Sequence, residues 1–306
     1  MSFTVALTTV IVMLVYAVPG FLLVRFRKLD AGAIPTVATF LLYCFSPIQM
    51  INAIQKAPRT AEMLGNMVLA VVLGFVLLGG LIAIAWLLLR RRQDEVPVRS
   101  CTVAAAMGNV GFMGIPLMEA LLPEYPQVIA FAGAFFVSYN VLMWTVVSFV
   151  ITRDRKYISL RNILLNPSVI AFAVAMVLLA FDIRFTGQAA DIMALFAKLA
   201  TVSCMLIMGM RLALVPFKSM FTRGLQYLTV ALKLIVFPLL VLLAVKLVPM
   251  DDCYRRGVYI MCSCPVGNLV LTFAELLGEG QDTACNVVLL STLLSMITIP
   301  VMMMLA

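Results

Sequence analysis

The stretch of sequence that decides the fold reads GNVGFMGIPL and covers residues 108–117. It lies inside a long apolar segment, yet it holds three glycines and a proline within nine residues. In a helix, glycine is about 1 kcal/mol and proline about 3 kcal/mol less favourable than alanine. Within a bilayer, unwound backbone is tolerated only where protein or a water-filled cavity satisfies its N–H and C=O groups. The stretch predicts a helix that is interrupted inside the membrane; the alternative is a proline-kinked helix whose glycines allow close packing.

A similar interruption stands in the second half of the chain, where another apolar segment contains PVGN at residues 265–268. Both stretches contain a Gly-Asn pair, and 159 residues separate Asn109 from Asn268. An acidic residue follows each, with 156 residues from Glu119 to Glu275, near segment ends where solvated carboxylates are common. Two matching interruptions favour a site where two broken helices cross, because exposed half-helix N-termini can hold an anion.

The composition places the chain in a membrane. Of its 306 residues, 64% are hydrophobic and 12% are charged, whereas a soluble domain is about a quarter charged. The high apolar content also excludes a disordered chain. A transmembrane helix needs about 20 apolar residues, and ten such segments can be marked. They are residues 3–24, 33–55, 63–89, 99–122, 127–151, 164–182, 188–212, 224–248, 254–278 and 283–305.

The two interruptions fall in the fourth and ninth segments, which divides the chain into two sets of five. The first repeat covers residues 1–152 and the second covers residues 153–306. Because five is odd, the second repeat must lie upside down relative to the first, as in many secondary transporters. The sequence therefore predicts an all-α membrane protein with ten transmembrane helices in two inverted five-helix repeats, with helices 4 and 9 broken and crossing.

Basic residues predict the orientation of these segments. Counted together with the basic residues at the segment ends, the loops after odd-numbered segments carry 14 Lys and Arg, and those after even-numbered segments carry 6. Because cytoplasmic loops are enriched in Lys and Arg, we expect the odd-numbered loops in the cytoplasm. Both termini are then expected on the outer side of the cell inner membrane. Most of the net charge of +8 therefore reflects basic cytoplasmic loops, which determine the orientation of the chain.

Seven residues in the interruptions and one amide in the middle of the fifth segment are candidates for contact with a substrate. They are Asn109, Gly111, Gly114, Pro116, Asn140, Pro265, Gly267 and Asn268. An asparagine amide can donate to a carboxylate or accept from a coupling cation. Asn140 is equally well explained by an interhelical hydrogen bond, which is worth about 0.6 kcal/mol on average. The adjacent interruptions favour binding for Asn109 and Asn268.

Two lysines lie deep within apolar segments, far from the segment ends. Lys198 is ten residues into the seventh segment, about 15 Å at 1.5 Å per residue, so it should face a partner or a cavity. Asp191, on the same helix face, is a candidate partner, and Lys233 in the eighth segment is a second buried lysine. Each lysine is a candidate for binding an anion or carrying a coupling proton, but a structural ion pair is the favoured explanation.

Several function classes lack the residues they need. The chain has no histidine, which removes the commonest metal ligand and general base. No Gly-x-x-x-x-Gly-Lys-[Ser/Thr] loop supports ATP-driven transport, and the seven cysteines fall mainly in apolar runs. We therefore expect no enzyme activity, no metal site, no cofactor and no nucleic-acid partner, while coupling to H⁺ or Na⁺ stays open.

In its apolar segments and its two interruptions the chain resembles the auxin efflux carrier family, whose bacterial members are linked to malate or malonate transport. The similarity covers the ten segments, the two interruptions, Asn140 with Trp144, and Asn166-Pro167 as a helix start. The family lies within the bile, arsenite and riboflavin transporter superfamily. The resemblance implies an NhaA-like fold with a scaffold (residues 1–58 and 162–215) that pairs two protomers. It also implies a transport domain (residues 60–152 and 222–306) that moves like an elevator.

Carried over by position, the resemblance implies that an organic anion contacts Asn109, Pro116, Asn140, Pro265 and Asn268. The long hydrophilic loop of many plant carriers is absent, so its phosphoregulation is not implied. The leading hypothesis is a secondary transporter that exports a small mono- or dicarboxylate. The alternatives are a membrane receptor that binds an anion without moving it and a Na⁺-coupled anion symporter of the same fold. A channel is disfavoured because no charged ring or filter loop is visible.

Overall fold

The computed structural model describes residues 3–214 and 224–305. Within these ranges the regular structure is helical apart from one isolated antiparallel β-bridge. Eight of the described helices are long and apolar enough to cross a membrane. The prediction of an all-α, multi-pass membrane protein is therefore confirmed.

The long helices are numbered in chain order together with four shorter ones. They are α1 (Phe3–Val15 and Val18–Arg25), α2 (Ala33–Gln55), α3 (Ala61–Arg92), α4 (Val96–Ala106), α5 (110–121), α6 (Gln127–Thr152), α7 (Arg155–Ala180), α8 (Gln188–Leu214), α9 (Gly224–Lys246), α10 (Asp252–Ser263), α11 (Leu269–Leu277) and α12 (Gln281–Met303). Helix α5 begins with a π-helical turn, Val110–Gly114, and continues as Ile115–Leu121.

Local sequence explains where several helices begin. The Thr60 side chain accepts a hydrogen bond from the N–H of Met63 (3.1 Å) and so caps the start of α3. Asn166 caps the longer part of α7 in the same way, accepting from the N–H of Ser168 (2.9 Å). Pro167 follows it at the first helical position, where no N–H is needed. The helix start predicted at Asn166-Pro167 is confirmed.

The eight long helices coincide with eight of the ten predicted apolar segments. The fourth and ninth segments each correspond to two shorter helices, α4 with α5 and α10 with α11. The fourth segment begins at Val96 rather than residue 99, because Pro97 fits the first turn of a helix. Of the predicted domain boundaries, residues 215 and 222 lie outside the described residues.

Helix packing falls into two groups. Helix α1 packs extensively on α8, and α2 packs on both α7 and α8. In the second group, α3 packs on α6 and α4, while α9 packs on α10 and α12 packs on α4. Helix α1 also packs on α12, so the two groups are in contact.

Glycine allows the closest helix crossing of the first group. A Cβ added at Gly20 of α1 would lie 2.2 Å from the carbonyl oxygen of Leu206. A Cβ at Gly209 of α8 would lie 1.9 Å from the carbonyl oxygen of Ala17. Backbones approach this closely in membrane proteins only where small residues line the interface, so α1 and α8 form a tightly joined pair.

Large apolar side chains remain exposed on the long helices. Val68 and Leu88 of α3 are 65% and 61% exposed, and Leu243 of α9 is 63% exposed. Extended apolar surface of this kind is rare on a soluble monomer. It suits helices whose outer faces contact lipid.

Candidate functional site

Two short extended segments lie side by side between the paired short helices. We call them the bridge segments: residues 107–109 join α4 to α5, and residues 264–268 join α10 to α11. The N–H of Asn109 donates to the carbonyl of Pro265 (2.7 Å), and the N–H of Gly267 donates to the carbonyl of Met107 (3.0 Å). Each segment thus provides hydrogen-bond partners for backbone groups of the other. Unwound backbone that is shielded from water requires such partners.

Lys233 binds the helix ends on one side of the bridge segments. Its ammonium donates to the carbonyl of Cys262 (3.0 Å) near the end of α10 and contacts the carbonyl of Ala106 (3.4 Å), the last residue of α4. The side chain is almost fully buried. A helix C-terminus carries about half a negative charge, so one cation stabilises two such ends. Among the described residues no carboxylate pairs with Lys233, so its partners are carbonyls rather than the expected ion-pair partner.

A cavity of about 110 Å³, here called the bridge cavity, is lined by residues of both bridge segments but not by Lys233. Asn109 and Val110 line it at the start of α5, and Asn268 and Leu269 line it at the start of α11. Helix N-termini carry partial positive charge and unpaired N–H groups that bind anions. The volume is several times what a water needs and well below the roughly 300 Å³ of the smallest drug-sized pockets. The bridge cavity therefore suits a small anion.

The two asparagine side chains at the bridge cavity are only weakly satisfied by protein. Asn109 is buried, and its Nδ2 has a distant sulfur neighbour, Cys204 Sγ at 4.0 Å. Asn268 Oδ1 is buried and has no hydrogen-bond partner within the described part of the chain. Because buried polar atoms are nearly always paired, these amides are the atoms in the cavity best placed to receive a ligand.

Gly267 leaves room that a larger residue would remove. A Cβ at this position would lie 2.7 Å from the hydroxyl of Tyr139 and 3.0 Å from the carbonyl oxygen of Gly108. Since real Cβ atoms do not approach other atoms so closely, either Tyr139 or the bridge segment would have to move. A larger residue at this position would therefore crowd the paired segments.

We expect Gly267→Ala to destabilise the protein by about 1–3 kcal/mol, the usual penalty of overpacking, and to reduce transport. Thermal unfolding of the purified protein in detergent measures the first effect. Gly80→Ala is the matched control, because a Cβ there meets nothing within 4 Å and alanine is the better helix former. Equal unfolding temperatures for the two variants would contradict the packing argument.

The remaining predicted residues of α5 have different surroundings. Gly111 lines the bridge cavity beside Phe136, whose ring would lie 3.0 Å from an added Cβ. Gly114 does not line the described part of that cavity; a Cβ there would contact Cys264 Sγ at 3.4 Å. Pro116 lies in Ile115–Leu121, and its side chain is outside the described part of the structure.

Asn140 is buried in α6, and both ends of its amide have protein partners. Its Nδ2 donates to the carbonyl of Phe136 (2.9 Å), and its Oδ1 accepts from Nδ2 of Asn166 (3.1 Å). The contact with Asn166 joins α6 to the capping residue of α7 and is the interhelical hydrogen bond considered above, whereas the contact with Phe136 lies within α6. Asn140 is not among the described lining of the bridge cavity, and its contact with a substrate stays a prediction.

Lys198 lies far from the bridge segments in sequence and faces a separate space. It is exposed and lines a cavity of about 660 Å³, here called the Lys198 cavity, together with Lys56 and Glu119. The ammonium of Lys56 lies 3.8 Å from a carboxylate oxygen of Glu119. Asp191 is exposed, and the described contacts include no ion pair between it and Lys198.

Two residues of the site were not singled out by the sequence. Tyr139 lines the bridge cavity and stacks on Phe136, with ring centroids 5.4 Å apart. Arg211, counted above with a loop, lies in the last turn of α8 and lines the same cavity. Its Nη1 donates to Oε1 of Glu275 (2.9 Å), so Glu275 is paired rather than merely solvated. The 155 residues from Lys56 to Arg211 nearly repeat the internal offset, which is the signal that could have identified Arg211.

The described residues offer no arrangement for a metal. No group of three or more His, Cys, Asp or Glu side chains among them is placed to hold an ion. The seven cysteines are free thiols. The chemistry of the site therefore rests on amides, helix ends and one guanidinium.

Comparison with known proteins identifies the family. The sequence profile of the family described as membrane transport protein matches residues 5–303. A protein of Rhizobium meliloti (strain 1021) named "Putative malonate transporter" is 26% identical over 301 residues, covering 92% of this chain and 89% of the relative. Together with the multi-pass helical architecture, the match over nearly the whole chain shows that this protein belongs to the membrane transport protein family, the auxin efflux carriers, and is a membrane transporter rather than an enzyme.

Proposed function

We propose that the chain is a secondary active transporter that exports a small organic anion, such as a mono- or dicarboxylate. The observation that carries the proposal is the bridge cavity, where two helix N-termini and the amides of Asn109 and Asn268 meet. N–H donors and partial positive charge favour an anion over a cation. The name of the Rhizobium meliloti relative supports a carboxylate as the substrate class.

The proposal includes ten transmembrane segments. Helices α4 and α5 are about 16 and 18 Å long at 1.5 Å per residue, so neither crosses a hydrocarbon core of about 30 Å alone. Taken end to end, α4 with α5 and α10 with α11 are long enough, which adds two broken segments to the eight long helices. The antiparallel pairing of the bridge segments supports inverted five-helix repeats, residues 1–152 and 153–306, because upside-down copies run in opposite directions where they cross.

We propose that the two packing groups are the two moving parts. The scaffold comprises residues 1–58 and 162–215, and the transport domain comprises residues 60–152 and 222–306. The extensive contacts of α1 with α8 and of α2 with α7 support the first part, and those of α3 with α6 support the second. The transport domain carries the bridge segments, so sliding it as an elevator against a dimeric scaffold would give alternating access. The orientation proposed from the loops places both termini outside the cell inner membrane.

A Na⁺-coupled anion symporter of the same fold is the second candidate. It is favoured by Asn268 Oδ1, which is a buried acceptor without a partner among the described residues. Carbonyl oxygens of this kind are ligands for hard cations. Proton coupling is the alternative within the leading proposal, and neither form requires a resident cofactor.

The experiment is uptake of radiolabelled malonate by proteoliposomes that contain the purified full-length protein. We expect uptake above that of protein-free liposomes when a pH gradient, a Na⁺ gradient or a membrane potential is imposed, and the effective gradient identifies the coupling. A bile acid serves as the negative control, because it is too large for a cavity of about 110 Å³. Malonate binding without flux under every gradient would instead indicate a receptor.

A further inference from the structure

Arg211 lines two cavities. It lines the bridge cavity, and it also lines a cavity of about 490 Å³ with Glu275 and Asp282, here called the Arg211 cavity. Among the described residues that line the bridge cavity, Arg211 is the one basic side chain. An anion that passes between the two cavities therefore meets this guanidinium.

The guanidinium retains donors that protein does not use. Arg211 offers five N–H groups, and Nη1 donates to Glu275 Oε1 (2.9 Å). Its Nε is buried and has no hydrogen-bond partner in the described ranges. Asn268 Oδ1, an acceptor in the same cavity, is also unpartnered. A buried donor and a buried acceptor left open beside one cavity indicate a ligand that both accepts and donates.

We propose that Arg211 binds the carboxylate of the substrate and that the Glu275 carboxylate pairs with Arg211 when no substrate is present. The proposal rests on the proposed transport of an organic anion and assigns the residue that recognises its charge. A half-protonated dicarboxylate matches the open atoms, because its carboxylate accepts from Arg211 and its carboxylic acid donates to Asn268 Oδ1.

The exchange of one carboxylate for another keeps the charge of Arg211 paired. Its side chain is 17% exposed, so an unpaired guanidinium there would be poorly solvated. The Glu275 side chain is 47% exposed, so it can be solvated when it is displaced. Substrate can therefore replace Glu275 without leaving a buried charge alone.

The internal repeat supports a role of the Arg211–Glu275 pair in alternating access, rather than only in a local contact between helices. Lys56, at the C-terminal end of α2, faces Glu119 of α5 in the first repeat, as Arg211 of α8 faces Glu275 of α11 in the second. The offsets of 155 residues between the bases and 156 between the acids agree with the repeat. Each pair joins a proposed scaffold helix to a proposed transport helix and lines a cavity. Both repeats therefore contain the same arrangement, in which a basic residue pairs with an acidic residue beside a cavity.

The competing explanation is an ion pair that only holds α8 against α11. The two explanations differ in what happens when Glu275 is neutralised. If Arg211 is a substrate ligand, Glu275→Gln removes its competitor and preserves binding. If the pair is only structural, neutralising either partner causes the same defect, and exchanging the two charges repairs it.

The test measures malonate uptake by proteoliposomes of the full-length wild type and four variants: Arg211→Met, Glu275→Gln, the double variant, and the charge exchange Arg211→Glu with Glu275→Arg. We expect Arg211→Met to raise the KM at least 10-fold, and the double variant and the charge exchange to stay as impaired. Glu275→Gln should keep the KM or lower it several-fold. If Arg211→Met does not purify, Arg211→Lys replaces it, because it keeps the charge but loses the forked donors.

Three results would overturn the inference. An unchanged KM in Arg211→Met, beside active wild type, rejects Arg211 as a ligand and leaves the proposed function intact. Equal defects in Glu275→Gln and Arg211→Met, repaired by the charge exchange, establish a structural pair. A wild type that neither binds nor transports malonate rejects the proposed function for this substrate and the inference with it.

Discussion

Replacing Lys233 with methionine should strongly reduce transport and destabilise the protein. Methionine has a similar length and suits an apolar core, but it donates no hydrogen bond. The carbonyls of Ala106 and Cys262 would lose their shared donor where two helix C-termini meet. An acceptor left unpaired in a buried site costs about 1–3 kcal/mol, so two of them predict a loss of about 2–6 kcal/mol. Because the same residues position the bridge segments, we expect malonate uptake to fall at least 10-fold.

Thermal unfolding and proteoliposome uptake of Lys233→Met measure the two effects. The matched control is Lys246→Met on the same helix, where the lysine is exposed in the last turn. This control should unfold and transport like the wild type. Wild-type stability in Lys233→Met would show that the buried ammonium does not stabilise the helix ends.

The position of Lys233 also bears on ion coupling. Two helix C-termini that meet in a low-dielectric interior would attract a cation. The ammonium already occupies this point and is covalently attached, so a coupling Na⁺ would have to bind elsewhere. Asn268 Oδ1 is the open acceptor at the bridge cavity.

Much of the fold follows from the lengths of the apolar segments alone. Eight apolar segments became eight long helices, and Gly108–Pro116 and Pro265–Asn268 located the two places where helices end in mid-segment. Glycine and proline act locally, so their effect on the backbone is visible in the sequence. The pairing of the two interruptions was also predictable, because both contain the same Gly-Asn pair at half-chain spacing.

Side-chain partners were less predictable because they depend on packing between distant segments. A lysine in an apolar segment suggested a carboxylate, yet Lys233 binds two carbonyls contributed by α4 and α10. Arg211 was counted as a loop charge because charge counts ignore which face of a helix a residue occupies. In the structure it lines the bridge cavity. Such assignments need the distances between helices, which segment boundaries do not contain.

Alanine substitution of Asn109 and Asn268 should weaken substrate binding while the fold persists. Neither amide has a strong hydrogen-bond partner in the described structure, since Asn109 Nδ2 has a sulfur 4.0 Å away and Asn268 Oδ1 has none. Their removal therefore breaks little within the protein. A hydrogen bond to a charged group is worth about 1.5–3 kcal/mol, which corresponds to a roughly 10- to 100-fold higher KM for each single variant. The double variant should have no measurable malonate uptake.

Substitutions of two further asparagines distinguish a loss of substrate binding from a loss of stability. Asn140→Ala removes the bond that links α6 to Asn166 at the start of α7 and a bond within α6 to Phe136, so it should lower the unfolding temperature with a smaller effect on KM. Asn162→Ala changes an exposed side chain of α7 and should alter neither quantity. A high KM with wild-type unfolding temperature in the Asn109 and Asn268 variants, beside the reverse pattern in Asn140→Ala, would place the substrate at the bridge cavity. Wild-type KM in both Asn109→Ala and Asn268→Ala would contradict this assignment, because both amides line the small bridge cavity.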